Sequence, residues 1–184
     1  LIFTDPPYNV DYDYSNFRGK KKPKGAGNIF NDNLSREKCI EFYTNVLNNL
    51  FIYSKENACL YWWFANRNNL ENRQSWNNSN WHMSQIIIWV KERFVFGRGQ
   101  DYHRQYEPCM YGWKEGMGNA HYRNKLLSNN SDILALTVTD FTDYLDVWFE
   151  KRDNTQEYHH PTQKPVRLAE RALRKNSLQG DIVA

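Results

Sequence analysis

A chain of 184 residues is long enough for one domain with its own core, and a formal net charge of +3 does not by itself mark a polyanion partner. No apolar run approaches the roughly 20 residues of a membrane-spanning helix, so a soluble, cytoplasmic protein without a membrane partner is expected. Three widely spaced cysteines (Cys39, Cys59, Cys109) without a CxxC pair read as reduced thiols, and the five histidines show no ligand spacing, so no metal is expected.

Aromatic residues make up 16% of the chain. That ring surface either lines a surface for flat ligands such as bases or replaces aliphatic side chains in the core. Leu1–Thr4 is a short apolar run ended by Asp5-Pro6-Pro7, as a buried strand stopping at a prolyl turn would be. Residues 9–34 read as loop. Within it Arg18, Lys20, Lys21, Lys22 and Lys24 form a basic run that either solvates the loop or contacts phosphates.

Ser35 is placed to cap a helix on which Ile40, Tyr43, Val46, Leu47, Leu50 and Phe51 recur at helical spacing. Ala58–Ala65 is a continuous apolar run and reads as a second buried strand. Asn66–Asn80 reads as a polar helix with a loose end. Met83–Lys91, rich in β-branched and aromatic residues, is the strongest strand; Glu107–Trp113 and Asp146–Glu150 are further strands, with 114–145 irregular. Val166–Lys175 reads as a basic amphipathic helix with Leu168, Ala172 and Leu173 inward, followed by Gly180 and a new strand. Alternating strands and helices predict an α/β fold with a largely parallel sheet and an antiparallel, hairpin-like part in the middle.

Asp5-Pro6-Pro7-Tyr8 at a strand end carries chemistry. The lone pair of a base's exocyclic amine is delocalised into the ring, and a carboxylate with a nearby backbone carbonyl can accept its two N–H bonds and localise that pair. Proline lacks an amide hydrogen and fixes φ, so such acceptors are held rigidly. The following Tyr can stack on a base taken out of the duplex. As a purely structural feature, the same residues would be a strand-ending prolyl turn.

This motif resembles the catalytic motif of N6-adenine and N4-cytosine DNA methyltransferases. His160-Pro161-Thr162-Gln163-Lys164-Pro165, followed by Leu168, is similar to the segment that lines the methionine side of S-adenosylmethionine in the β class of that family. The order of the two motifs is that of the β class, and the stretches around Gln100–His103 and Glu107–Lys114 look like methylases of phages and prophages. The resemblance covers the whole chain. It implies a Rossmann-like methyltransferase sheet in circularly permuted strand order, incomplete at its C-terminal end, in a single partial domain at 1–184 with a recognition segment at about 93–158. It implies Asp5, Pro6, Pro7 and Tyr8 as catalytic residues and Asp5, His160, Thr162, Gln163 and Lys164 as contacts of S-adenosylmethionine. Double-stranded DNA is the implied partner, and a homodimer is among the arrangements considered.

The first residue, Leu1, already lies in an apolar run, and the chain stops where Gly180-Asp181-Ile182-Val183 leads toward the family's glycine-rich turn. It therefore reads as an excerpt, inactive by itself because nothing would fix the adenosine end of the cofactor. Arg93, Arg98, Arg104 and Lys91 cluster around Phe94–Gln105 and read either as base or phosphate contacts or as a solvated loop. Three activities stay open: methylation of adenine N6, methylation of cytosine N4, and, from an Asn-Pro-Pro-Tyr relative, methylation of a protein glutamine. A non-catalytic remnant that folds and binds DNA is the competing class.

Overall fold

The computed structural model describes residues 1–12, 29–95, 101–114, 145–154 and 163–184. The run Arg18, Lys20, Lys21, Lys22 and the residues Arg98, His160 and Thr162 lie outside the described residues, as does most of the irregular 114–145 stretch. The elements are β1 (Ile2–Thr4), α1 (Arg36–Tyr53), β2 (Cys59–Trp63), α2 (Asn69–Asn77), β3 (Trp81–Val95), β4 (Arg104–Lys114), β5 (Val147–Glu150) and α3 (Val166–Asn176).

The five strands form one sheet in the order β1-β2-β4-β3-β5. β1 and β2 pair in parallel, with Phe3 opposite Tyr61, and β3 and β5 do so with Trp89 opposite Trp148. β4 runs antiparallel to both of its neighbours, placing Tyr111 opposite Tyr61 and Glu107 opposite Trp89. Four strands therefore point one way and β4 the other, so the antiparallel part predicted for the middle of the sequence also occupies the middle of the sheet. This inversion decides where the site forms: the first residues of β4 lie at the carboxyl ends of β1, β2 and β3.

Both faces of the sheet are covered. On one side α1 and α2 pack Tyr43, Leu47 and Trp76 against Leu60, Trp62, Phe64 and Met110. On the other, Leu168 and Ala172 of α3 pack near Tyr61, Trp63, Trp89, Cys109 and Trp148. β2 is buried along its full length, which is why its sequence is continuously apolar rather than alternating. Six of the seven tryptophans (all but Trp113) are buried, so the indole rings belong to the core rather than to a base-binding surface.

Local signals explain the helix positions. Ser35 caps α1, its side chain accepting from the Lys38 amide at 3.4 Å. The polar stretch after β2 begins with a 3-10 turn at Asn66–Asn68 and becomes α-helical only at Asn69. The amide of Val166 at the start of α3 donates to the Asp153 carboxylate at 3.1 Å. Leu173, expected inward on α3, is half-buried, and Asn176 is buried instead, accepting a 2.6 Å bond from the Tyr61 hydroxyl. After Gly180, whose φ of 90° suits glycine, Ala184 bonds to β1 in a parallel pattern. Phe3 donates to its carbonyl at 2.8 Å and its amide donates to Leu1 at 3.1 Å.

Cys39, Cys59 and Cys109 are buried and free. Among the described residues no helix is long and apolar enough to cross a membrane, and no group of His, Cys, Asp and Glu side chains could hold a metal ion.

Candidate active site

β1 ends at Thr4 and delivers Asp5 to the carboxyl edge of the sheet, where it is exposed at the rim. The three residues that follow are fixed from behind. Tyr43 of α1 donates its hydroxyl to the Pro7 carbonyl at 2.5 Å. Asn68 donates its amide to the carbonyls of Tyr8 and Asn9 at 2.5 and 2.9 Å. Asn68 is backed by a relay from the core: the Trp62 indole donates to Asn72 at 2.8 Å, and Asn72 donates to the Asn68 carbonyl at 2.7 Å. The Pro6 carbonyl accepts no hydrogen bond among the described residues. Among the described residues the Pro6 carbonyl is thus open to a ligand and the Asp5 carboxylate is held by Lys164, while Pro7 and Tyr8 spend their carbonyls on the scaffold.

The chain then reverses through Asn9, whose φ of 53° is a left-handed value that Asn tolerates. The Asn9 side chain exchanges bonds of 2.6 and 3.1 Å with the Leu34 backbone. The buried Asp32 carboxylate accepts from the amides of Val10 and Tyr12 at 3.2 and 2.7 Å. This clip ties the motif to the entry of α1. Nothing in the loop-like composition of residues 9–34 announced it.

Lys164, two residues ahead of α3, reaches Asp5. Its ammonium lies 3.0 Å from each Asp5 oxygen and 3.1 Å from Oε2 of Glu107 on β4. It also sits 4.8 Å from the Tyr8 ring centre and 5.8 Å from that of Trp63, in range for cation–π attraction. Glu107 Oε2 accepts from the Tyr8 hydroxyl at 3.3 Å, and Oε1 pairs with the buried ammonium of Lys91 on β3. Positive and negative groups therefore alternate along Lys91, Glu107, Lys164 and Asp5.

Electrostatics keep Glu107 and Lys164 charged. Burial would raise the Glu107 carboxyl, but Lys164 and Lys91 outweigh it and bring it down to about 2. For Lys164, burial works against the ammonium, and Glu107 and Asp5 prevail, so its pKa rises. Lys91 is lowered because burial outweighs the attraction of Glu107. Burial, with the negative charges of Asp5 and Glu107 beside it, pushes the Tyr8 phenol well above its usual value, so it remains a neutral donor.

The structure thus brings Asp5, Pro6, Pro7, Tyr8 and Lys164 together across more than 150 residues of sequence. Gln163 adjoins Lys164 and is half-buried. Arg93 and Arg104 are exposed where the β3–β4 hairpin extends past the site, with Phe94 and His103 stacked at 5.1 Å beside them. Lys91 does not belong to that basic group. Its side chain is only 4% exposed and is committed to Glu107. A lysine inside an apolar strand was the signal for this, because a buried ammonium requires a partner. Gln105 donates to the Lys91 carbonyl at 3.2 Å.

An open mixed sheet with helices on both faces makes this an α/β protein, a class whose ligands bind at the carboxyl ends of the parallel strands. Within that class, the sequence model of the DNA methylase family matches residues 1–184, and the chain belongs to that family. Two solved structures share the fold. The crystal structure of M1.HpyAVI has a TM-score of 0.55 at 16% identity, covering 99% of this chain and 66% of that one. The crystal structure of the M1.HpyAVI–SAM complex has a TM-score of 0.52 at 17% identity, with 82% and 65% covered. The chain thus spans just under two thirds of the length of each. No curated protein matches it.

Proposed function

We propose that the protein transfers a methyl group from S-adenosylmethionine to the N6 amine of adenine in duplex DNA. The observation that carries this reading is the rigid presentation of two acceptors, the Asp5 carboxylate and the Pro6 carbonyl, at a sheet edge whose neighbouring carbonyls are already bonded. Accepting the two N–H bonds of an amine from these positions localises the nitrogen lone pair toward an electrophile. The Tyr8 ring, its hydroxyl bonded to Glu107 and its backbone carbonyl to Asn68, offers a stacking face to a base extruded from the duplex. Adenine is favoured over cytosine because Asp at position 5 is the adenine-leaning form of the motif in this family.

The residues present fit the zwitterionic end of S-adenosylmethionine: Lys164 would hold its carboxylate, and Asp5 its ammonium. The family resemblance also assigns His160, Thr162 and Gln163 to the cofactor. When bound, the cofactor supplies an electrophilic methyl group on a sulfonium. The chain's own residues orient the amine, exclude water with the Trp63 and Tyr8 rings, and hold the proton of Lys164 between two carboxylates. The exposed Arg93 and Arg104, with Arg18, Lys20, Lys21, Lys22 and Arg98, are taken to contact DNA, and the recognition segment spans about 93–158.

The test is to incubate the full-length protein with methyl-labelled S-adenosylmethionine and unmethylated duplex DNA, then to separate the nucleosides by mass. Labelled N6-methyladenine is expected. Labelled N4-methylcytosine would overturn the choice of base. Label in protein glutamine, or none in DNA, would overturn the function.

A further inference from the structure

We propose that Glu107, anchored by Lys91, is a positioning residue that holds the Lys164 ammonium and the Tyr8 ring in place around Asp5, a proposal that rests on the methyltransferase reading above. Both carboxylate oxygens of Glu107 face inward: Oε1 meets Lys91, and Oε2 meets Lys164 at 3.1 Å and the Tyr8 hydroxyl at 3.3 Å. With its oxygens engaged this way, Glu107 acts through Lys164 and Tyr8 rather than on the reacting atoms.

The need for such an anchor follows from the geometry at Asp5. Lys164 lies 3.0 Å from both Asp5 oxygens, the same oxygens that must accept the amine. When Asp5 turns to the base, Lys164 loses one of its two anionic partners among the described residues. With its side chain only 10% exposed, it has little water to replace that partner, and without Glu107 it would be held only by the incoming carboxylate of the cofactor. Glu107 retains it. Lys91 in turn keeps Glu107 ionised and directs Oε1 away from Lys164, so that only Oε2 binds it.

Among the described residues, the groups facing Lys164 are Asp5 and Tyr8 after β1, Trp63 from β2, Lys91 from β3, and Glu107 and Cys109 from β4. Of these, only Asp5 and Glu107 carry negative charge. Removing Glu107 therefore leaves Asp5 as the one anion beside Lys164 among the described residues.

In the full-length protein, Glu107→Gln is expected to lower kcat on the order of ten- to a hundredfold with little change in KM for DNA, as misplacement of a positioned group does. It should also move the titration of Lys164 to lower pH, read by NMR of the 13C-methylated lysine without any turnover. Because Glu107→Gln strands the buried Lys91 and lowers stability, the deciding variant is the double substitution Lys91→Met with Glu107→Gln. It removes one cation and one anion and restores the charge balance. Positioning predicts that stability recovers while kcat stays low and Lys164 still titrates early. A double variant with wild-type kcat, or a Lys164 titration unmoved by either change, would overturn the proposal. If no form methylates DNA, the functional reading fails, and the Lys164 titration still decides the role of Glu107.

Discussion

The Tyr43 hydroxyl donates to the Pro7 carbonyl at 2.5 Å, joining the middle of α1 to the turn that carries Asp5. Tyr43 is itself buried against the edge of Trp62, with ring centres 5.6 Å apart. Removing the hydroxyl alone leaves that packing intact and frees the Pro7 carbonyl. Tyr43→Phe is expected to cost about 1 kcal/mol of stability, the net worth of one such bond, and to lower kcat more than it raises KM. Denaturant unfolding and steady-state kinetics on the full-length protein check both.

Asp5→Asn keeps the shape of the side chain and removes its charge. Methyl transfer is expected to fall at least about a hundredfold, as for loss of a preorganised charged group. Thermal stability should change by about 1 kcal/mol or less, because Asp5 is partly exposed and Lys164 keeps its pair with Glu107. Activity within a few-fold of wild type would remove Asp5 from the mechanism.

Glu107 predicts the acid response of the fold. Its carboxyl is brought from 4.5 to about 2 in the folded protein. A depressed folded value contributes stability that is present above the unfolded value and lost as pH falls through the window from 4.5 to about 2. The loss should be on the order of 3 kcal/mol. Urea unfolding across that window measures it, and Glu107→Gln should flatten the dependence.

Gly112 on β4 tests the close approach of the central strands. A Cβ there would meet the backbone oxygen of His82 at 1.9 Å and the Trp76 ring at 3.0 Å. Neither is a flexible side-chain end. Gly112→Ala should destabilise by about 3 kcal/mol through overpacking, visible as a lowered melting temperature.

Arg93 and Arg104, exposed on the hairpin, should each contribute about one unit to the slope of log affinity against log salt if they meet phosphates. Alanine at either position is expected to reduce that slope for DNA binding. An unchanged slope would assign both side chains to solvent.

Elements with strong local signals were legible in the sequence. Ser35 marks the start of α1, the apolar run around Cys59–Trp63 gives β2, and Asp5 and Lys164 were placed together by the two motifs. What escaped was set by pairing between strands. Lys91 and Glu107 meet because Trp89 lies opposite Glu107 in an antiparallel register, and a register depends on the hairpin between the strands rather than on either strand alone. The Asn72–Asn68 relay escaped for a related reason. In a sequence crowded with asparagine, which amides turn inward is decided by Trp62, ten residues from Asn72, needing an acceptor in the core.

The β3–β4 ribbon carries two cargoes on one backbone: exposed arginines toward its tip and the Lys91–Glu107 pair nearer its base. Their separation makes the tip adjustable and the base not. Residues added between Val95 and Arg104, the last paired positions, would lengthen the finger while leaving the strands below it in step. A single residue inserted between Arg104 and Glu107 would force the ladder to absorb it as a bulge or turn Glu107 to the α1–α2 face of the sheet, away from Lys164. Variation in chain length among relatives should therefore gather between Val95 and Arg104, where it leaves the ammonium beside Asp5 undisturbed.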